Sequence, residues 1–190
     1  MRDVVMKFLK NRKIAVLITV VVAIIATFIG VNMSLSRLSR DIEQMFFDGV
    51  YLESEKRTQQ SIDSQIEKLS ATALNIATLF ENRPGLENES ASVLNARKEL
   101  INAVSIRDRG SSLSKMENAF EILVAAADKI ADLNERESLA LADYRKSYEG
   151  ASYFIEDTLA PEYNGKVDDF YNSRSFFAAL ISRAAPDYFH

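Results

Sequence analysis

Residues 14–36 read IAVLITVVVAIIATFIGVNMSLS, and this stretch decides the architecture. It runs 23 residues without a charge. About 20 apolar residues in a helix cross the roughly 30 Å hydrocarbon core of a bilayer. Backbone amides in lipid must pair within the segment, so a transmembrane helix is predicted despite the many β-branched residues. The run exceeds a usual signal-peptide core, and no small-x-small cleavage site follows it, so an uncleaved anchor is expected. The flanks set its direction. Residues 1–13 form a basic tail with Arg2, Lys7, Lys10, Arg12 and Lys13 against Asp3, while only Arg37 and Arg40 follow the span closely. The positive-inside rule then puts the N-terminus in the cytoplasm and the long C-terminal part outside. Within the span, Thr19, Ala23 and Thr27 recur four residues apart, with Ala26 and Gly30 nearby. Small residues at this spacing let a second helix approach closely, which makes them the expected membrane-association face.

Composition removes most chemistry. The chain has 190 residues, one domain's worth. It has no Cys, no Trp, and one His at residue 190. Disulfides, thiolate nucleophiles and Cys/His zinc sites are therefore excluded. A Ser-His-Asp triad would depend on a histidine that nothing orients. With 6 Gly, 3 Pro and 47% apolar residues, the chain is neither disordered nor a turn-rich β protein. Of its 23 basic and 27 acidic residues, residues 1–13 hold five and one, so 18 basic and 26 acidic remain beyond them, a net of −8. That acidic body would be repelled by nucleic-acid phosphates and by anionic lipid.

Helical periodicities follow the anchor. Leu38, Ile42, Met45 and Phe46 continue its helix outward until Gly49 loosens it, so residues 37–57 are expected to be a juxtamembrane helix and connection. Residues 58–190 are expected to form the helical bundle domain. Ile62, Ile66, Leu69, Ala73, Ile76 and Phe80 alternate steps of four and three, a heptad seam that stops at Arg83-Pro84-Gly85. Val93, Ala96, Leu100, Ala103 and Val104 make a shorter pattern ending around residues 107–110; whether the two are one kinked helix or two stays open. Leu113, Met116, Phe120, Leu123, Ala127 and Ile130 form the cleanest seam, with Ser111 or Ser112 as its natural N-cap. Asn134 with Glu137 resembles a capping box and should open the next pattern, Leu141, Tyr144, Tyr148, Ala151 and Ile155. Pro161 should start the last one, where a missing N–H costs little, and Val167, Phe170, Phe177, Leu180 and Ile181 should line one side of it. No alternating run is long enough for a convincing strand. The fold class predicted is all-α: one N-terminal transmembrane helix followed by an antiparallel helical bundle.

The tempting constellations have plain readings. Ser112-Leu-Ser-Lys115 is S-x-x-K, in which a Lys amine can take a Ser proton, but K-T-G and S-D-N are missing and a helix cap explains the serine. Asp128 with Asp132, and Asp168 with Asp169, read as solvated faces, since a di-iron site needs E-x-x-H motifs that the chain lacks. No Gly-rich phosphate loop is present. No metal, no cofactor and no catalytic residue is expected. Eleven of the 18 aromatics lie from Tyr144 onward, and the closing PDYFH, with two rings, could dock on the bundle, a partner or the membrane interface.

Residues 162–172, EYNGKVDDFYN, then Phe176-Phe177-Ala178-Ala179-Leu180-Ile181, then Pro186-Asp187-Tyr188-Phe189, resemble the C-terminal signature of the LemA family. The carrying positions are Tyr163, Asn164, Val167, Phe170, Asn172, Phe177, Leu180, Ile181, Tyr188 and Phe189. Residues 62–68 with Asn75, and Ala96-Arg97, match more loosely. Phe177 stands where the family has Pro, Lys68 is what remains of an early Arg-Arg element, Tyr171 shifts the second aromatic–Asn pair by one, and Pro84-Gly85 interrupts what is one long helix in the family. The resemblance implies a bacterial membrane-anchored helical bundle and no reaction. Asn164 and Asn172, two turns apart, would be interhelical polar locks, because buried Asn needs paired hydrogen bonds.

These readings converge on a non-enzymatic, single-pass scaffold or adaptor of the bacterial envelope. Its partners would be the lipid bilayer, and itself or another membrane protein. The alternative is a ligand-sensing extracytoplasmic four-helix-bundle domain, since such bundles take small molecules between helices.

Overall fold

In the computed structural model, residues 12–49, 51–52, 57–58, 60–130 and 132–190 are described. Most of the basic tail, residues 1–11, lies outside them, as do residues 50, 53–56 and 59 of the connection. The side chains of Phe177 and Ile181, both in the family-like signature, lie outside as well. The chain is helical: α1 Arg12–Asp48, α2 Ile62–Phe80, α3 Glu87–Asn102, α4 Ile106–Ala127, α5 Glu135–Phe154, α6 Ala160–Ser173 and α7 Phe176–Ile181. The extended pairing among the described residues is two residues long: β1 Tyr51–Leu52 runs antiparallel to β2 Arg57–Thr58, with Tyr51 opposite Thr58.

Two compact units divide these elements. One takes the chain to Asp41 together with Phe170–Ala185. Its long helix is the one described helix long and apolar enough to cross a membrane. Val16, Leu17, Val22, Ile25 and Ile29 are each more than half exposed, a surface that water does not favour. The Thr19 and Thr27 hydroxyls donate back to the Ala15 and Ala23 carbonyls, both at 2.9 Å, so the helix carries its polar groups already satisfied. In the C-terminal part, the Ser175 hydroxyl caps α7 by accepting from the Ala178 N–H, and the Arg174 guanidinium donates to the carbonyls of Ala179, Ser182 and Ala184. Leu180 is 69% exposed, so it does not line an apolar side with Val167 and Phe170 as its spacing predicted. α6 stops at Ser173, and α7 starts a new helix with its own phase.

The other unit is Ile42–Asp169 with Pro186–His190. At its start α1 stops at Asp48, and Gly49 turns the chain at φ 80°. That left-handed backbone favours glycine because it has no Cβ to clash. The heptad seam of α2 is fully realised: Ile62, Ile66, Leu69, Ala73, Ile76 and Phe80 are all buried, and α2 packs on α3, α4 and α5. Burying one such Leu or Ile is worth about 1.5–3 kcal/mol, so this stripe is the main reason the unit folds. α2 and α3 are two helices. Pro84 and Gly85, at φ 89°, break them, and the Gly85 N–H donates to Glu87 Oε2 at 2.8 Å.

The start of α4 differs from the sequence reading. Ser105, not Ser111 or Ser112, is the N-cap, its hydroxyl accepting from the Asp108 N–H at 3.0 Å. Residues 107–110 are therefore the first turns of α4 rather than a break, and Ser112 is a buried mid-helix residue. Val104, read as a core position, lies in the turn between α3 and α4 at 90% exposure. The Asn134–Glu137 capping box is present with both reciprocal bonds. Pro161 does not begin a separate helix. α5 passes through a π-helical turn, Ile155–Leu159, directly into α6. There the Ala160 N–H reaches back five residues to the Ile155 carbonyl. Proline has no N–H and its ring crowds the carbonyl four residues earlier, here that of Asp157; the wider π turn accommodates both demands.

Candidate functional site

Four residues of the family-like signature, Tyr163, Asn164, Tyr188 and Phe189, meet where the C-terminal tail docks. Residues 186–190 lie against α6, α4 and the end of α1. Asn164 Nδ2 donates to the Phe189 carbonyl at 2.7 Å, and the Phe189 N–H donates to Asn164 Oδ1 at 3.0 Å. One amide side chain thus pairs with both backbone groups of one residue, as a neighbouring strand would. Tyr163 Oη donates to the Asp187 carbonyl at 2.8 Å, and Tyr188 Oη donates to Asp168 Oδ1 at 2.8 Å. The Phe189 ring is buried 5.4 Å from that of Phe46, which also meets Tyr163 at 5.9 Å. Val167 is fully buried. Asn164 is therefore a lock, but between helix and tail rather than between helices. Asn172 is exposed and makes no such lock among the described residues.

Two further features brace this end. Arg109 pairs with Asp63 and lies over the Phe47 ring at 5.5 Å. Gly110 is buried in α4, and a Cβ there would stand 2.3 Å from the His190 carbonyl oxygen. The glycine is thus required by the approach of the tail. Burial, and then the nearby Asp187 carboxylate, push the Glu43 carboxyl above its ordinary range.

The expected association face, Thr19, Ala23, Ala26, Thr27 and Gly30, is exposed along its whole length in the single chain, with open space beside Gly30. In the S-x-x-K segment the Lys115 ammonium is paired with Glu99 Oε2 at 2.8 Å across a shallow α3–α4 groove. Asp128 pairs with Arg145 at 2.5 Å, and Asp132 pairs with Arg83 at 2.8 Å, so these two aspartates bridge elements. Among the described residues no group of three or more His, Cys, Asp or Glu side chains is arranged to hold a metal ion.

One site was not read from the sequence. Between α4 and α5 lies a groove of about 300 Å³, lined by four carboxylates (Glu117, Glu121, Glu149 and Glu156), by Arg145 and Ser152, and by the rings of Phe120, Tyr148 and Tyr153. Phe120 and Tyr148 stack at 3.8 Å with their planes 10° apart. Glu117 Oε1 accepts from the Ser152 hydroxyl at 2.7 Å. Burial pushes the Glu117 carboxyl above its ordinary range; the Ser152 bond opposes this, and Glu156 and Glu121 add to it. Tyr148 is 4% exposed, and its hydroxyl has no hydrogen-bond partner among the described residues. Burial, then Glu117 and Glu121, push the Tyr148 phenol up as well. The spacings 117/121 and 149/156 put each pair on one helix face. Which faces meet is a tertiary fact that the spacing does not carry.

No known protein family matches this chain, and neither does any curated protein or solved structure.

Proposed function

We propose that this chain is a non-catalytic, membrane-anchored scaffold or adaptor of the bacterial envelope, similar to the LemA family. Its helices form an antiparallel bundle held outside the cytoplasmic membrane, with the N-terminal tail inside. The observation that carries this reading is α1: one helix from Arg12 to Asp48 whose apolar residues stand exposed over residues 16–29, while its last turns bury Ile42 and Phe46. A helix that is apolar all round has no soluble use for that surface, and its end belongs to the core of the second unit. The tail lock through Tyr163, Asn164 and Phe189 supports the family likeness, because it gives those signature residues a shared structural task. An anchor of this kind raises the local concentration of whatever binds the body.

Photo-crosslinking tests the reading. A crosslinker amino acid at exposed Ile122, Leu139 or Ala23, irradiated in native membranes, should give adducts of one or two defined masses. Adducts spread over many proteins in proportion to abundance would overturn it. A second reading, ligand sensing, is favoured by the α4–α5 groove with its unpaired Tyr148 hydroxyl.

A further inference from the structure

We propose that the groove between α4 and α5 binds a linear aliphatic polyamine, its ammonium groups held by Glu117, Glu121, Glu149 and Glu156 and by the Tyr148 hydroxyl. This goes beyond the scaffold reading and does not depend on it.

Charge gives the sign of the ligand. Four carboxylates face one arginine, and Arg145 is already paired with Asp128. The Glu156 and Glu121 charges disfavour ionisation of Glu117, and a cation relieves that repulsion. Spacing gives the shape. The lining residues of α5 and the following turn run from Arg145 to Glu156, about 16 Å of helix at 1.5 Å per residue. Of these, Glu149 and Glu156 stand about 10 Å apart along the helix, and the carboxylates of the groove form no group arranged to hold a metal ion. Separated negative charges in a narrow groove suit separated positive charges on one flexible chain. The walls suit the methylenes between those charges. Phe120 and Tyr148 present a stacked pair, and Tyr153, 66% exposed, gives a ring face at which an ammonium is attracted.

Tyr148 points independently to a polar ligand. Its ring is fixed by the stack, so its hydroxyl cannot swing away to find a partner. Tyr148 lines the groove, and its buried hydroxyl, acted on by the Glu117 and Glu121 charges, has no hydrogen-bond partner among the described residues. A buried phenol left so costs free energy unless something completes it. An ammonium donates N–H bonds to that oxygen while the phenol donates to a carboxylate. The π-helical turn at Ile155–Leu159 contributes Glu156 to the groove lining; such turns are frequent at functional sites.

The test uses the full chain in nanodiscs of zwitterionic lipid, which does not itself collect polyamines. Spermidine is titrated by calorimetry at about 150 mM salt, where loose surface attraction is screened. One saturable site per chain is expected, undisturbed by magnesium at equal charge. Tyr148→Phe keeps the stack and should weaken binding about tenfold, the loss of one bond to a charged group. Glu117→Gln should weaken it at least as much. Glu121 is exposed, so Glu121→Gln cannot disturb packing and should still weaken binding several-fold. The distant Glu81→Gln should leave it unchanged. No saturable binding, equal displacement by magnesium, or affinity indifferent to these substitutions would overturn the proposal. So would a lysine-rich peptide that occupies the same site in preference to spermidine.

Discussion

Gly110→Ala should change sign with the tail. In an ordinary helix interior, Gly to Ala stabilises by about 0.5–1 kcal/mol, because glycine loses more backbone freedom on folding. At position 110 the new Cβ would sit 2.3 Å from the His190 carbonyl oxygen, and the obstructing atom is backbone, so it cannot rotate aside. Ordinary contact needs at least 3.4 Å, so His190 must retreat by about 1 Å. Its neighbour Phe189 then loses the 2.7 and 3.0 Å bonds to Asn164. Two such bonds are worth about 2 kcal/mol. Gly110→Ala should therefore destabilise the full chain by about 1 kcal/mol and stabilise a chain ending at Ala185 by about 0.5–1 kcal/mol. Urea unfolding in detergent micelles measures both. Amide exchange supplies an independent reading: the Phe189 N–H should exchange about thirtyfold faster in Gly110→Ala, the ratio that 2 kcal/mol implies. Equal stabilisation in both backgrounds, with Phe189 protection unchanged, would refute the tail lock.

Further substitutions test other parts of the account. Glu117→Gln should stabilise the protein at pH 7. Burial holds the Glu117 carboxyl above its ordinary value of 4.5, so the folded state binds more protons than the unfolded one. Stability of the parent therefore falls as pH rises from about that value through the folded pKa, and the advantage of Gln should vanish in melts below it. Ser105→Ala should cost about 1 kcal/mol in urea unfolding, whereas Ser111→Ala should stay within about 0.5 kcal/mol. Leu69→Ala, at a fully buried seam position, should cost about 2–5 kcal/mol by the same measurement.

What was legible in the sequence is what local periodicity determines. The α2 seam from Ile62 to Phe80 is buried at each of its six positions, because a stripe at steps of four and three can only pack inward. The Asn134–Glu137 box was legible because both partners lie within one turn. The misreadings lie where a distant residue decides. Gly110 reads locally as a breaker, yet it sits within α4 because the tail, 80 residues later, needs the space. Pro161 reads as a start, yet a π turn carries the helix through it. Asn164 was recognisable as a lock, but its partner is the tail backbone. The four glutamates of the groove carry no local signal, since only the meeting of α4 with α5 sets them beside a buried tyrosine.

The most direct test of the scaffold account is the composition of the native assembly. The tagged full chain, mildly cross-linked in its own membranes, should be purified, weighed intact and resolved into components by mass spectrometry. The account predicts a complex of fixed stoichiometry, either copies of this chain or this chain with a second membrane protein. A monomer with no stoichiometric companion would contradict it.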